Sequence, residues 1–177
     1  MDAVVAEKPW EAIKTNAGAS ELKPVEVEVI QFFVQLAAAV GQPRSVAEIY
    51  GLLFVSAKPL PMDTVIERLR LSKGSASQGL KYLQDLGAVH TVYVASDRRT
   101  HFVAVAELRK LAGRFLRQQI LTHFDDSTTR MDRIAAQTRT LSGEQRKHIL
   151  ERIKLLRRWE RAGRRILPFV VKMLDGD

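Results

Sequence analysis

Two groups of polar and basic residues in this sequence have the chemistry to bind a polyanion. The first group occupies the start and one side of a predicted helix: Ser72, Lys73, Gly74, Ser75, Gln78, Lys81 and Tyr82. The second group is the tripeptide Asp97-Arg98-Arg99 in a predicted hairpin turn. Free N–H groups at a helix start favour phosphate, and Gln and Lys side chains can read base edges in a major groove. Adjacent arginines can clamp phosphates or enter a narrow minor groove, so these residues together predict a site for double-stranded DNA.

Each of these side chains, taken alone, is also typical of a solvated surface. Together these side chains indicate a DNA-binding face more strongly than each does alone, because no acidic residue occurs on this helix face before Asp85 at its far end. Gly74 is predicted on the outward face, where it would allow a ligand backbone to approach, and Gly79 on the flank, where it would allow tight helix packing. In the turn, Asp97 is predicted to orient one arginine through a bidentate pair and leave the other for DNA; the alternative is a solvated turn with a local ion pair.

Apolar periodicity predicts the helices that come before this site. A stripe from Val29 to Val40 predicts a first helix, which should end at Gly41 and Pro43. A second helix is predicted to begin with Ser45 as its N-cap. A proline-rich extended linker and a short third helix should follow.

The fourth helix carries the first polar group, with Ser72 predicted as its N-cap and Gly87 as its C-cap. Beyond Gly87 the apolar period changes from 3.6 to 2, which predicts strands at 89–95 and 100–105 joined by a turn at 96–99. Helices followed by a two-stranded ribbon in this order are typical of a winged helix, whose third helix enters the major groove while the ribbon reaches the flanking backbone. The predicted fold class is therefore mainly α with a small β-hairpin wing.

Further helices are predicted at 106–124 and 142–174, separated by a polar region at 125–140 that reads as a loop and a modest helix around Met131. A capping box of Ser142 with Gln145 should open the last helix, and Pro168 should kink it. Its apolar positions are Ile149, Ile153, Leu156, Trp159, Gly163, Ile166 and Val170.

The helices at 25–40, 106–124 and 142–174 carry more apolar surface than a winged helix can cover. They are predicted to bury it against each other or against a second copy of the chain. The predicted organisation is a flexible lead-in at 1–22, an N-terminal dimerisation helix at 23–44, a DNA-binding domain at 45–105 and a C-terminal helical dimerisation region at 106–177. A two-fold dimer would separate two DNA-reading helices by about 34 Å and so select a palindrome.

Composition narrows the class of protein. The chain has 177 residues and a net charge of +8, and residues 61–177 hold 23 basic and 13 acidic side chains. Such a lopsided charge is typical of a polyanion-binding surface. The absence of Cys excludes disulfides, thiolate metal sites and Cys nucleophiles. We expect a cytoplasmic protein without a membrane span or secretory signal, because the longest apolar stretch is far shorter than the ~20 residues that a span needs.

Catalytic and ligand motifs are sparse. The sequence contains no phosphate loop, dinucleotide fingerprint or metalloprotease motif, so neither an enzymatic activity nor a cofactor is predicted. His123, Asp125 and Asp126 lack the spacing of metal ligands, and no metal site is predicted. A small-molecule effector of unknown identity is predicted as a further partner. Four aromatic side chains have the chemistry of a cage for a quaternary ammonium, although such residues are more often core: Tyr50, Phe54, Phe115 and Trp159.

The last helix also has a basic face, which is either a second DNA contact or a solvated surface paired with acids such as Glu160. Its members are Arg157, Arg158, Arg161, Arg164 and Arg165.

Several runs of this sequence resemble the GbsR branch of the MarR superfamily of transcriptional regulators. They are Glu48-Ile49-Tyr50-Gly51-Leu52-Leu53-Phe54, Leu71-Ser72-Lys73-Gly74-Ser75-Ala76-Ser77-Gln78-Gly79-Leu80, Asp85-Leu86-Gly87-Ala88-Val89 and Asp97-Arg98-Arg99. The resemblance covers residues 45–120 and implies a homodimeric winged helix-turn-helix repressor or activator, with a recognition helix at 72–86 and a wing at 97–99. Members of the branch are associated with betaine and choline uptake genes. The alternative is a winged helix that serves as a protein-interaction or assembly module.

Overall fold

A computed structural model of the chain describes residues 21–95 and 97–176, with the backbone alone at 121–123 and 125. The predicted flexible lead-in therefore lies outside the described residues, except for Glu21 and Leu22. In the described part of the chain, no helix combines the length and the apolar character that crossing a membrane requires.

Helices dominate the structure, and a small sheet interrupts them. The elements are α1 (Pro24–Ala39), α2 (Arg44–Val55), β1 (Leu60–Pro61), α3 (Met62–Leu69), α4 (Lys73–Asp85), β2 (Val89–Val94), β3 (Asp97–Ala104), α5 (Leu108–Leu116), a π-helical turn (Arg117–Leu121), α6 (Thr122–Gln137), a 3-10 turn (Thr138–Thr140) and α7 (Gly143–Asp175). The sheet is antiparallel with strand order β1-β3-β2, and Leu60 lies opposite Phe102. The prediction of a mainly α fold with a small β wing is confirmed.

Two predicted helix starts are wrong in detail. Helix α2 begins at Arg44 and its N-cap is Pro43, which at φ −61° and ψ 139° already sets the extended entry that Ser45 was expected to provide. Helix α7 does begin after Ser142, but the Ser142 side chain makes no capping hydrogen bond, so the predicted capping box with Gln145 is absent.

The predicted loop within 125–140 is also wrong. Helix α6 spans Thr122–Gln137 and continues from α5 through the π-helical turn. Its sequence signal is weak because, among the side chains of α6 that the structure describes, only the widely spaced Phe124 and Met131 are buried. Packing against α7 supplies the stabilisation that local propensity lacks.

The chain divides into two compact units. The first comprises the described residues through Leu80 and those within Thr91–Val103, and the second comprises Lys81–His90 and the described residues from Ala104 onward. Helix α4 and strand β2 thus contribute residues to both units.

The first unit is built on the close approach of α1 and α2. A Cβ placed on Gly51 would lie 2.9 Å from the Ile30 Cα, so the two backbones meet where only glycine fits. Beside this point the Phe33 ring packs edge-on against Tyr50 and Phe54, with centroid separations of 4.9 and 5.1 Å. Aromatic burial therefore holds the helices that support α4.

The second unit contains a similar close approach between α6 and α7. A Cβ on Gly163 would lie 2.6 Å from the Phe124 ring, and the same ring lies 5.8 Å from Trp159 between centroids. Glu160 is buried here and accepts hydrogen bonds from Thr128 and Ser127 at 2.6 and 3.0 Å. The Thr128 hydroxyl, then Arg164, then the Ser127 hydroxyl lower the pKa of the Glu160 carboxyl and keep it ionised.

The apolar positions predicted for α7 do not form one buried stripe. Of these positions Ile153 is buried, whereas Trp159 and Ile166 are exposed; Val171, next to the predicted Val170, is buried. The helix is continuous through Pro168, and the kink predicted there stays a prediction.

Replacing Gly51 by Ala should destabilise the first unit, because the backbone of α1 cannot move aside as the end of a side chain can. We expect the free energy of unfolding to fall by about 1–3 kcal/mol, as in other overpacked sites, measured by urea denaturation. Gly74→Ala is the matched control, since a Cβ there meets only Ser72 Oγ, at 3.9 Å. This control should raise stability by up to about 1 kcal/mol through helix propensity. Equal effects of the two changes would contradict the close approach of α1 and α2.

Candidate nucleic-acid interface

The start of α4 is capped by its own serines. The backbone N–H of Ser75 donates to Ser72 Oγ at 3.1 Å, and the Ser72 hydroxyl donates to Ser75 Oγ at 3.0 Å. The prediction of Ser72 as N-cap is confirmed. The cap satisfies one of the free N–H groups of the first turn and leaves the small side chains of this turn facing solvent.

One face of α4 packs into the protein and the opposite face is polar. The buried side is made of Ala76, Gly79, Leu80 and Leu83. The exposed side contains most of the first predicted group: Ser72, Lys73, Gly74, Gln78 and Lys81, with Ser75 half-buried. Asp85 is exposed at the last residue of the helix. The exposed face therefore carries positive charge at its start and middle, and negative charge only at its end.

The two glycines of α4 lie in opposite surroundings. A Cβ on Gly79 would lie 2.6 Å from Cδ1 of Ile49, a fully buried side chain, so Gly79 permits the tight packing that the sequence predicts. A Cβ on Gly74 would meet only Ser72 Oγ, at an ordinary contact distance of 3.9 Å. The helix-propensity cost of Gly74 has no packing gain to offset it.

Tyr82 departs from its predicted outward position. Its hydroxyl is buried and has no hydrogen-bond partner within the described residues. Burial raises the pKa of this hydroxyl above its ordinary value. The prediction that Tyr82 shares the exposed face with Gln78 and Lys81 is therefore wrong for its hydroxyl group, which is buried because the ring turns toward the protein.

The end of α4 has the predicted glycine cap. Gly87 has φ +70°, and its N–H donates to the Gln84 carbonyl at 2.8 Å. The N–H of Ala88 donates to the Leu83 carbonyl at 2.8 Å, which completes a Schellman motif.

The wing arginines lie in a strand rather than in a turn. Strand β3 begins at Asp97, three residues earlier than predicted, so Arg98 and Arg99 are its second and third residues. This corrects the predicted turn at 96–99. The reason is that the strand pairing extends to Asp97, whose carboxylate fixes the backbone by accepting the Arg99 N–H at 3.0 Å.

Asp97 binds one of the two arginines. The Arg99 guanidinium donates to the carboxylate through Nε at 3.0 Å and through Nη2 at 2.6 Å. His101 is buried below, with Nδ1 2.8 Å from the Arg99 carbonyl oxygen and Nε2 3.3 Å from Asp97 Oδ2. Arg98 is exposed and has no hydrogen bond or ion pair within the described residues. As the sequence predicts, Asp97 orients one arginine, Arg99, while the Arg98 guanidinium is left exposed.

The structure adds two exposed candidates that the sequence analysis does not name. Ser77 lies beside Gln78 on α4. Arg70 is exposed between α3 and α4 and is the one non-glycine residue with positive φ, +53°, in the described ranges. A helical wheel would have found Ser77, whereas no local sequence signal marks an arginine in a left-handed conformation.

Comparisons with known proteins agree with this geometry. No family model matches the chain. A segment of 75 residues is 35% identical to the HTH-type transcriptional repressor GbsR of Bacillus subtilis (strain 168) and covers 42% of this chain. The match spans about two fifths, 41%, of the length of that repressor. The chain also resembles a solved structure of a transcriptional regulator over 84% of its own length and 99% of that chain, with a TM-score of 0.52 and 17% identity. At this identity the structural likeness supports the winged-helix fold alone.

Other candidate sites in the sequence do not gain support. Tyr50 and Phe54 belong to the aromatic cluster of the first unit, and Trp159 packs near Phe124 in the second, while Phe115 is half-buried on α5. The effector cage stays a prediction.

The basic face of α7 is partly occupied by ion pairs. Arg157 pairs with Asp132 at 2.5 Å, and Arg164 pairs with Glu160 at 3.0 Å.

Within the described residues, no group of His, Asp and Glu is placed to hold a metal; the side chains of His123 and Asp125 are outside that set.

Arg99→Gln should raise the pKa of Asp97 toward the ordinary value of about 3.9. The pKa of this carboxyl is held well below that value, first by the side-chain hydrogen bonds from Arg99 and then by the Arg99 backbone N–H. Because the pKa is lowered, the carboxylate should stay ionised and paired as the pH falls through 3.9 and should lose the pair only at lower pH. A carboxyl-carbon NMR titration measures this. Arg98→Gln is the matched control and should leave the Asp97 pKa low; equal titrations in both variants would contradict the pairing.

Proposed function

We propose that this chain is a sequence-specific DNA-binding transcriptional regulator, a repressor that acts as a homodimer and has no enzymatic activity. The observation that carries the proposal is the capped start of α4, where an exposed face rich in Lys, Gln and Ser carries no acid before Asp85. We assign α4 as the recognition helix and strands β2 and β3 as the wing. The partial similarity to a protein named as a transcriptional repressor supports the same function.

The recognition helix presents two kinds of contact. The first turn, with Ser72, Lys73 and Gly74, suits phosphate, because the helix dipole, a cation and an unobstructed backbone coincide there. The middle of the exposed face, with Gln78 and Lys81, suits base edges, since Gln pairs in a bidentate manner with adenine and Lys reaches guanine. Phosphate contacts set affinity and register, and the base contacts set sequence preference.

The wing contributes the Arg98 guanidinium to the flanking backbone or minor groove. Arg99 contributes through its fixed position, because Asp97 has already oriented it. A guanidinium that enters a narrow minor groove benefits from the enhanced negative potential there.

The proposed dimer forms on an apolar stripe of α7. Leu155, Trp159, Ala162, Ile166, Phe169 and Met173 are all exposed, and they are spaced alternately by four and three residues. Trp159 is 69% exposed and Phe169 is 71% exposed. Spacing of this kind is the seam of a coiled coil, and a single copy leaves it open to water.

The stripe continues into a groove of the same unit. Phe124, Met131 and Ile134 of α6 line a cavity of about 370 Å³ with Leu156 and Trp159 of α7. We assign this face to a second copy, because a coiled-coil seam is self-complementary under two-fold symmetry.

Arg98→Ala should weaken binding to the preferred duplex and lower the salt dependence. A lost phosphate contact reduces the slope of log K against log salt by about 0.9, which fluorescence anisotropy at several salt concentrations measures. We expect Arg146→Ala, an exposed arginine outside the proposed interface, to leave affinity and slope unchanged. Duplexes selected from a randomised library should be palindromes. Failure to select any duplex, together with tight binding of a protein partner, would favour the interaction-module alternative.

Trp159→Glu with Ile166→Glu should convert the dimer to a monomer, because two carboxylates would be buried in an apolar seam. Analytical ultracentrifugation measures the change, and circular dichroism should show that the helices persist. Leu141→Glu is the matched control, since Leu141 is also an exposed apolar residue but lies outside the stripe. A variant that stays dimeric would contradict the assignment of the seam to α7.

A further inference from the structure

We propose that α5, with the π-helical turn that follows it, is a strut between the last turn of α4 and α7 inside the second unit, with Arg114 and Gln118 as the positioning residues. The proposal rests on the proposed function, because it explains how a dimer would hold two recognition helices at one spacing. All contacts that carry it lie within the second compact unit, which includes the last residues of α4.

The end of the recognition helix is closed partly by groups from α5 and from the π-helical turn that follows it. The last carbonyls of a helix have no partner inside that helix. In α4 the Schellman motif satisfies the carbonyls of Leu83 and Gln84. The Asp85 carbonyl instead accepts Gln118 Nε2 at 3.3 Å, and the Gly87 carbonyl accepts Arg114 Nη1 at 2.7 Å.

Arg114 is matched to this place by charge and by space. A cation at a helix C-terminus interacts favourably with the helix dipole. Any side chain at position 87 would collide with the Arg114 guanidinium, so Gly87 both turns the chain and admits the arginine. Arg114 is half-buried and its Nη1 is engaged, which makes it a poor candidate for phosphate contact.

The same segment, α5 with the π-helical turn that follows it, is fastened to the last turn of α7. Arg109 Nη2 donates to the Met173 carbonyl at 2.8 Å, and Arg117 pairs with Asp175. A Cβ at Gly113 would lie 3.5 Å from the Leu174 Cβ, which shows how closely α5 approaches α7 here. Side chains of α5 and of the π-helical turn therefore hold the end of α4 on one side and the end of α7 on the other.

If the strut exists, removing its hydrogen bonds to the end of α4 should cause a specific defect in DNA binding. The recognition helix should keep its DNA-facing residues, and its last turn should lose its fixed position against α5. Affinity should fall, the number of phosphate contacts should not change, and the preference for one half-site spacing should weaken. A lost DNA contact would instead lower the salt slope and leave the spacing preference intact.

The test uses Arg114→Ala and Gln118→Ala in the full chain, with Lys110→Ala on the same helix as the matched control for loss of charge. The probes are the palindrome that the unaltered protein selects from a random library and duplexes whose half-sites are one or two base pairs closer or farther apart. For Arg114→Ala we expect binding about tenfold weaker, as for a lost hydrogen bond from a charged group, an unchanged salt slope and a smaller difference between spacings. Gln118→Ala should show the same pattern with a smaller loss, and Lys110→Ala none of it.

Unchanged affinity and spacing preference in Arg114→Ala would overturn the strut, and so would a salt slope lowered by about 0.9. If the unaltered protein selects no duplex, the proposed function fails, and amide hydrogen exchange then tests the strut alone. The amides of Leu86, Gly87 and Ala88 should exchange faster in Arg114→Ala than in Lys110→Ala. Equal exchange would overturn the strut.

Discussion

The left-handed turn at Gly87 is the constraint on which the proposed DNA-reading part of the molecule depends. Its φ of +70° ends α4 and lets β2 begin at Val89, so the helix and the wing strand are separated by a fixed, short connection. Only glycine adopts this conformation without a steric cost. The missing Cβ also leaves room for Arg114, so the same residue sets the length of α4, the start of the hairpin and the contact with α5.

The two glycines inside α4, Gly79 and Gly74, both lower helix propensity, but close packing compensates only for Gly79. Gly79 costs α4 about 1 kcal/mol of propensity, but it allows close packing against Ile49 in the buried core. Gly74 carries a similar cost, and no packing contact around it offsets that cost. A phosphate backbone can approach a helix start that has no bulky side chain and no acidic residue nearby. The proposed function therefore explains why a glycine that lowers helix stability stands at position 74.

Sequence reasoning succeeds where the signal is local and fails where packing decides. The caps of α4 follow from Ser72 and Gly87, whose residue types fix the backbone within a few positions. The first part of helix α6 is predicted wrongly as a loop, because its stability comes from contacts with α7. The outward orientation of Tyr82 fails because burial of the ring outweighs its place on the helical wheel. In α7 the predicted apolar positions include Trp159 and Ile166 of the exposed stripe but not Leu155, Phe169 or Met173, because periodicity alone does not separate the side that packs inside one copy from the side left exposed.

The wing shows how a weak surface interaction can still matter for recognition. An exposed Asp–Arg pair contributes little to the stability of the fold, because water and salt screen it. Its effect lies in entropy: the Arg99 guanidinium is held at the Asp97 carboxylate and loses little rotamer freedom on binding a partner, whereas Arg98 must lose that freedom when it binds. The carboxylate also reduces the net positive charge beside Arg99. Arg99 therefore has a fixed geometry and a partly neutralised charge, whereas Arg98 keeps its full charge and its conformational freedom. We expect Arg98 to contribute more than Arg99 to the electrostatic attraction to DNA.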